Sequence, residues 1–283
     1  MIRMNRFIQF TIPTALLLFF GSCSVQDHLP PDSTQRCKVV EEVLQSNNSF
    51  GPESIDIDGN KVNIGVYGHY FYEYDDQGRI SKFTSAPVEN SLINFYTDRY
   101  EYLPNQLNKY RTFLPGGTSE FKIPLPLNEQ GTIISNNDYK HEYNTEGFLV
   151  KTTYPYQSLS DWRMYDDGVD EYTVENGNIV KLKITRPGYD FIETTLYEYD
   201  LSKPNLPSRF GANGKASKNL LIRETTYWGI DKSKGYREFE SRYLFDGNGQ
   251  VTRQIILDYS YNEKGENRSR NSIRVIDYSI TCK

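Results

Sequence analysis

The stretch Tyr72-Glu73-Tyr74-Asp75-Asp76-Gln77-Gly78-Arg79-Ile80 decides the fold class of this 283-residue chain. Tyr72 and Tyr74 are two residues apart and therefore project from one face of a β-strand, while Glu73 projects from the other face. The Asp and Gly that follow supply the turn positions of a tight hairpin. Ile80 then resumes the apolar alternation, so the stretch predicts two antiparallel strands joined by a turn.

The same pattern recurs along the chain. Complete copies run from His141 to Leu149 and from Tyr243 to Val251, and partial copies begin at Tyr100, Glu171, Tyr197 and Tyr259. Because the copies are unevenly spaced, the pattern argues against equal solenoid rungs or propeller blades. We expect residues 37–283 to form a single all-β domain, an antiparallel hairpin meander of roughly a dozen strands that curls into a barrel-like sheet.

Some stretches depart from the hairpin pattern. Val39–Gln45 suits a helix or, because two β-branched valines begin it, a strand. Leu103–Gly131 is rich in proline and glycine and is predicted to be an irregular lid or edge loop. Asp56–Asn60 and Asp166–Asp170 have alternating acidic residues but lack the other ligands of a calcium loop, so hairpin turns are the better interpretation.

The first 22 residues have the layout of an export signal. Arg3 and Arg6 precede an apolar run from Phe7 to Phe20, and small residues end the segment. The run of about 14 residues is shorter than the roughly 20 that a helix needs to cross a bilayer. An ordinary secretory signal would have the same layout.

Cys23 directly follows Phe20-Gly21-Ser22, and this arrangement resembles the lipobox of bacterial lipoproteins. The resemblance implies that residues 1–22 are removed and that Cys23 becomes the acylated first residue of the mature protein. Residues 23–36 lack an apolar period and are predicted to form a flexible tether. The expected partner is then the lipid bilayer, because each buried methylene of an acyl chain contributes about 0.8 kcal/mol.

Once Cys23 is assigned to acylation, the other two cysteines are Cys37 and Cys282, near the two ends of the domain. An even pair of cysteines in an exported chain favours a disulfide. A sheet that curls round would bring the first and last strands together, and the bond would then close the seam between them. Two free thiols on adjacent strands are the alternative.

Composition narrows the function classes. The net charge is −5 and the sequence contains no run of basic residues, so no nucleic-acid partner is expected. The mean hydropathy is −0.66, and the strands place charged residues opposite tyrosines, so we expect a tethered domain and not a barrel embedded in the outer membrane. No cofactor is predicted, and His28, His69 and His141 are too scattered for a zinc site.

Trp162 and Trp228 are the candidate ligand-binding residues. Both lie beside polar segments, where an indole ring can stack on the face of a sugar; packing in the core is the alternative. We expect a non-enzymatic binding or structural module for a glycan or protein partner. The alternative is a glycan-directed hydrolase with a site near residues 103–131 and Trp162, although no residue stands out as a catalyst.

The pattern Tyr-x-Tyr-Asp-x-x-Gly-x-Ile/Val resembles the tyrosine–aspartate (YD/RHS-like) repeats of bacterial cell-surface proteins. In a lipid-anchored chain of this length it is similar to secreted lipoproteins of Bacteroidota with a porin-like β fold. The resemblance implies a fold and a location in the cell envelope, and it brings no established chemistry. Ser24 follows the acylated cysteine, as in lipoproteins of the outer membrane.

Overall fold

The computed structural model describes residues 37–49, 51–88, 94–113, 119–157, 164–186, 191–229, 235–266 and 268–282. Within these ranges the structure is almost entirely β, and the helical element is a short 3-10 helix at Gly211–Asn213. None of the helical structure in this part of the chain is long and apolar enough to cross a membrane. The signal segment, Cys23, the tether and Trp162 lie outside the described residues.

The described residues form seventeen strands. They are β1 (Lys38–Ser46), β2 (Glu53–Ile57), β3 (Asn60–Tyr74), β4 (Ile80–Pro87), β5 (Tyr96–Leu103), β6 (Gln106–Phe113), β7 (Glu120–Pro126), β8 (Ser135–Asn136), β9 (Tyr139–Tyr143), β10 (Leu149–Gln157), β11 (Met164–Glu175), β12 (Asn178–Arg186), β13 (Phe191–Pro204), β14 (Asn219–Trp228), β15 (Tyr236–Phe245), β16 (Val251–Tyr261) and β17 (Ser269–Thr281). The prediction of an all-β fold is confirmed, with more strands than the dozen expected.

The strands form one nearly closed, barrel-shaped sheet. From β3 onward each strand lies beside the next one in the chain, with antiparallel pairing. β1 lies between the two ends of this meander, because Glu41 pairs with Phe71 of β3 on one side and with Ser279 of β17 on the other. The join between β7 and β8 is short and includes a bridge from Leu127 to Ile133. The predicted meander is therefore confirmed.

A disulfide joins Cys37 to Cys282 at the seam between the first and last strands, as predicted. The two Cα atoms are 3.9 Å apart, and Lys38 pairs with Thr281 directly beside the bond. The side-chain amide of Gln250 donates a hydrogen bond to the Cys282 sulfur at 2.9 Å. The disulfide therefore links β1 and β17 at the end of the barrel where β1 begins and β17 ends.

The prediction of an irregular loop over residues 103–131 is wrong, because β6 and β7 occupy much of it. Pro124 and Pro126 are two residues apart, so their nitrogens point to the same edge of β7. The carbonyl of Pro126 accepts a hydrogen bond from Ile134 of the β8 side, so this edge faces away from β6. The missing N–H groups therefore affect only the edge of β7 that faces β8, a strand of two residues. The hydrogen bonds between β6 and β7 do not need these N–H groups and are retained.

The turn predictions have mixed outcomes. Asp58 and Gly59 both have positive φ, at 56° and 82°, and they join β2 to β3, which confirms the turn predicted at Asp56–Asn60. The turn predicted at Asp166–Asp170 is wrong, because this segment lies within β11. Acidic residues and a glycine resemble a turn locally, yet pairing with β10 and β12 holds them extended. Val39–Gln45, the segment left open between helix and strand, lies within β1.

The hairpin of β2 and the first part of β3 covers the outer face of β16 and β17. Its isoleucines pack with residues of those two strands in one apolar cluster: Ile55, Ile57, Ile64, Ile255, Leu257, Tyr259, Ile273 and Val275. Burial of this kind contributes about 25 cal/mol per Å² of apolar surface. The strands next to the seam are thus stabilised from outside the barrel as well as by the disulfide.

Tyrosines in four copies of the repeat attach their hairpins to the preceding part of the sheet. The hydroxyl of Tyr74 donates to the carbonyl of Val39 on β1 at 2.7 Å. The same bond occurs from Tyr143 to Ile133 at 2.8 Å, from Tyr199 to Ile179 at 2.6 Å and from Tyr243 to Leu221 at 2.8 Å. The tyrosine of the sequence motif therefore has a structural role that recurs around the sheet.

The outer face carries ion pairs between neighbouring strands. They include Lys82–Glu73 at 2.7 Å, Arg223–Glu198 at 2.9 Å, and Arg99–Glu120 and Lys151–Glu142 at 3.4 Å. Exposed pairs of this type contribute about 0–1 kcal/mol each. Their importance lies in the polarity that they give to the outer surface of the barrel.

Candidate functional site

The segment 205–218, between β13 and β14, enters the barrel, and we call it the plug. Its Arg209 forms an ion pair with Glu42 of β1, and the ring of Phe210 lies 5.0 Å from the ring of Tyr100 on β5. A single short segment can contact strands on different sides of a barrel-shaped sheet only from within. These contacts therefore identify the inner faces of β1 and β5, and the alternation and register of the strands extend the assignment to the others.

Further contacts attach the plug to the turns at one end of the barrel. The Lys215 N–H donates to the carbonyl of Gly147 in the β9–β10 turn, and the Lys218 N–H donates to Gly177 in the β11–β12 turn, both at 2.9 Å. Ala212 is buried against Leu107, Leu125, Leu127 and Ile133. We call this end, which is also the end of the Cys37–Cys282 bond, the plug end.

The inner face changes from closely packed to open along the barrel axis. Near the plug, Leu107 of β6 is fully buried and Leu125 of β7 is 3% exposed. Toward the opposite end, Phe113 of β6 is 44% exposed and Phe121 of β7 is 55% exposed. On the other side of the barrel, Leu220 of β14 is buried whereas Trp228 is exposed. The half of the barrel away from the plug therefore presents large side chains to solvent from a concave wall.

Five aromatic side chains cross the inner wall of this open half, one on each strand from β3 to β7. They are Tyr70, Phe83, Tyr96, Phe113 and Phe121, and we call them the aromatic row. Successive ring centroids are 5.3, 5.7, 6.2 and 6.2 Å apart. Neighbouring rings are tilted by 52–70°, and the Phe113–Phe121 pair has the edge-to-face arrangement that aromatic pairs favour. The row ends at Phe121, its most exposed member.

A buried ion pair holds the middle of the aromatic row. Arg111 on β6 donates to both carboxylate oxygens of Asp98 on β5, each at 2.7 Å, and its guanidinium carbon lies 4.1 Å from the centroid of Tyr96. Asp98 is almost completely buried, and the hydrogen bonds to it raise the pKa of Arg111. A bidentate pair of this kind fixes the orientation of both partners.

The inner wall on β14 to β17, beyond the Tyr70 end of the aromatic row, is richer in charge. The Phe239 ring on β15 has the guanidinium carbon of Arg237 4.8 Å from its centroid and that of Arg274 5.5 Å from it. Arg237 donates to both oxygens of Asp258. Nearby, burial raises the pKa of Glu224, although Arg274 and Arg237 act in the other direction. The open half therefore combines aromatic faces with fixed charges.

Of the two predicted tryptophan candidates, Trp228 lies on this inner face. It pairs with Glu193 of β13, and its indole N–H donates to a carboxylate oxygen of Glu193 at 3.2 Å. Its ring is 42% exposed, so it is not part of the closely packed core. Trp162 lies outside the described residues.

The two described histidines, His69 and His141, have separate partners. His69 contacts Glu41 at 3.1 Å, and His141 contacts the hydroxyl of Thr152 at 3.1 Å; burial lowers the pKa of His141. No group of three or more metal-ligating side chains occurs among the residues that the structure describes.

A second concavity lies at the plug end, between the plug and the β3–β4, β5–β6 and β7–β8 turns. This cleft has a volume of about 680 Å³, and Leu103, Pro104, Leu127, Gln130 and Gly131 contribute to its lining. The guanidinium carbon of Arg79 lies 4.1 Å from the ring centroid of Tyr102 there. The side chains that line this described cleft include no Asp, Glu or His, so it lacks the paired carboxylates of a glycosidase.

Trp228 is a candidate from the sequence, whereas the members of the aromatic row are not. Phe83, Phe113 and Phe121 lie away from the tyrosine–aspartate turns, so the repeat did not point to them. Alternation within one strand does predict that residues two apart, such as Tyr96 and Asp98, project from the same face. The register between strands, which aligns the five rings, was not available from that signal.

No protein-family model matches the chain, and no curated protein matches it. Among solved structures it is similar to a porin-like protein from Bacteroides uniformis, with 16% sequence identity and a TM-score of 0.50. The alignment covers 86% of this chain and 96% of that chain. At this identity the similarity concerns the fold, and the chain shares the barrel-like all-β architecture of that porin-like protein.

Proposed function

We propose that this chain is a lipid-anchored, non-enzymatic protein of the bacterial cell envelope that binds a glycan in the open half of its barrel. The observation that carries the proposal is the aromatic row, whose members become more exposed toward Phe121. Rings fixed on a concave wall can stack on sugar faces at low entropic cost, since they are already ordered. The porin-like fold of the Bacteroides uniformis protein supports a location at the outer membrane.

Polar groups beside the rings favour a glycan over an apolar ligand. Asp98 and Arg111 lie next to Tyr96, and Glu193 lies next to Trp228. A sugar has apolar faces edged by hydroxyl groups, so it matches a wall on which aromatic rings alternate with hydrogen-bonding groups. A protein partner that inserts a side chain into the open half is the competing outcome of the binding test below.

The anchoring part of the proposal comes from the sequence and from the outer surface. Cys23 follows a lipobox-like segment, and the outer face carries charged pairs such as Lys82–Glu73. A Lys or Arg side chain on a lipid-facing barrel surface costs about 2–4 kcal/mol at the bilayer midplane, and Asp or Glu costs less. Attachment through acyl chains, with the barrel beside the bilayer, is consistent with both observations.

We expect Cys23→Ala to leave export intact but to release the protein from membranes, because the acylated thiol is lost while the signal segment is retained. The measurement is metabolic labelling with a clickable fatty acid, followed by membrane fractionation. The wild-type chain should take up label and the variant should not. A wild-type protein that takes up no label would contradict the anchoring proposal.

We expect Phe113→Ala and Phe121→Ala to weaken glycan binding by about tenfold each, which corresponds to about 1.4 kcal/mol per ring. The ligand is first identified by applying the mature chain carrying Cys23→Ala to a glycan array, and affinities are then measured by calorimetry. Phe71→Ala is the matched control, because Phe71 is a 40% exposed ring that stacks on His69 and pairs with Glu41 at the outer face.

Equal losses for the control and for the row variants would show that binding is not in the barrel. An array on which no glycan binds, together with specific capture of an envelope protein that depends on Phe113, would favour the protein-partner outcome instead.

A further inference from the structure

Arg274 is an exposed arginine on the inner face of β17, in the open half of the barrel. Its guanidinium lies against the ring of Phe239 at 5.5 Å, within the range of a cation–π contact. Among the residues that the structure describes, none forms an ion pair or side-chain hydrogen bond with it. A guanidinium that contacts an aromatic ring, and that has no ion-pair partner within the described ranges, therefore faces the lumen.

Three other inner-face arginines are each bound to a buried carboxylate. These pairs are Arg111–Asp98, Arg237–Asp258 and Arg209–Glu42. Glu224, on β14, is an acid near Arg274, but it lies beyond ion-pair distance and burial raises its pKa. A guanidinium stays charged at any physiological pH. Arg274 therefore differs from the paired arginines in having its positive charge available to a ligand.

Arg274 also lies near one end of the aromatic row. Arg274 pairs with Ser46 of β1, and Ser46 pairs with Gly65 of β3, two residues before Tyr67. Burial raises the pKa of Tyr67 and the charge of Arg274 lowers it, which is consistent with their proximity. Tyr67 in turn lies near Tyr70, the first ring of the row. The cation and the aromatic row are thus parts of one continuous wall.

We propose that Arg274, stacked on Phe239, is an anion subsite of the lumen, so that the glycan bound there is acidic and carries carboxylate or sulfate groups. This inference rests on the proposed glycan-binding function and names the substrate class. A planar guanidinium on an aromatic ring is suited to bidentate hydrogen bonding with an oxyanion. The partly enclosed wall strengthens its attraction for a negative group.

The test compares Arg274→Gln with the wild type, both in the mature chain carrying Cys23→Ala. A uronic-acid oligosaccharide, a sulfated oligosaccharide and a neutral oligosaccharide of the same length are the three probes. We expect Arg274→Gln to weaken binding of one of the acidic probes by about tenfold and to leave binding of the neutral probe unchanged. Arg274→Lys should retain part of the affinity, because lysine keeps the positive charge but cannot donate the two parallel hydrogen bonds of a guanidinium.

The control is Arg99→Gln, which removes an outer-face charge that contacts Glu120 and should affect no probe. Wild-type affinity for the acidic probe should fall as salt is raised, while that of Arg274→Gln should change little. Equal losses for acidic and neutral probes, or no loss for either acidic probe, would overturn the subsite while leaving the glycan proposal standing.

A second measurement is independent of any oligosaccharide. Nuclear magnetic resonance of the Arg274 side-chain N–H group is followed during titration with glucuronate, sulfate or glucose. Saturable shifts with glucuronate or sulfate but not with glucose support the subsite, even if the glycan array shows no binding and the proposed function fails. No shift with either anion overturns it.

Discussion

Replacing Cys37 by serine is expected to lower the free energy of unfolding by about 5 kcal/mol, the value that the chain-entropy model gives for so long a loop. The bond links residues 245 apart and fastens β1 to β17. For a domain of this size the loss corresponds to a fall in Tm of roughly 10 °C or more. Thermal unfolding followed by circular dichroism, in the mature chain carrying Cys23→Ala, measures the effect.

Two controls separate loss of the bond from other effects of the substitution. Cys282→Ser and the reduced wild-type protein should both have the same Tm as Cys37→Ser, because all three lack the same disulfide bond. A wild-type protein whose Tm does not change on reduction, or that offers two alkylatable thiols before reduction, would contradict the prediction.

The second large effect is expected from Gly214→Ala in the plug. Gly214 has φ +92° and ψ −176°, a backbone region that residues other than glycine rarely adopt, at a cost of about 1–3 kcal/mol. A Cβ there would also lie 2.6 Å from the ring of Tyr143 and 2.9 Å from the carbonyl oxygen of Gly147. Since the backbone oxygen cannot move freely, we expect the plug to be displaced and the protein to be destabilised by about 3 kcal/mol in total.

Gly211→Ala is the matched control in the same segment. A Cβ at Gly211 meets no atom within 4 Å, so this variant should unfold at nearly the wild-type denaturant concentration. Chemical denaturation gives the free energy of unfolding, and hydrogen exchange at Lys215 and Lys218 reports whether the plug has detached from the turns. Equal stability for the two variants would contradict the argument.

The hairpins were predictable because their signals are local. Tyr72 and Tyr74 define a strand face, and Asp75 to Gly78 define a turn, within nine residues of sequence. The disulfide was also predictable, since pairing of the two terminal strands follows once the sheet is expected to curl.

The plug and the aromatic row were not predictable because they depend on contacts between distant residues. The segment 205–218 has no apolar periodicity, and it is held through groups such as Gly147 and Tyr100 that belong to other hairpins. Predicting the aromatic row would require the pairing registers of all five strands, from β3 to β7, to be known together. Local signals also failed where tertiary pairing overrode them, as for the prolines of β7 and for Asp166–Asp170.

The tyrosine bonds to preceding strands have a consequence for how such a protein can change in size. Four copies of the hairpin carry such an attachment, as Tyr199 does to the carbonyl of Ile179, so one of these copies can be gained or lost as a self-contained pair of strands. With β2 outside the ring, sixteen described strands form the circuit. An antiparallel circuit requires an even number, and an added hairpin preserves it. Duplication of one motif would therefore widen the barrel while leaving the β1–β17 seam and its disulfide unaltered.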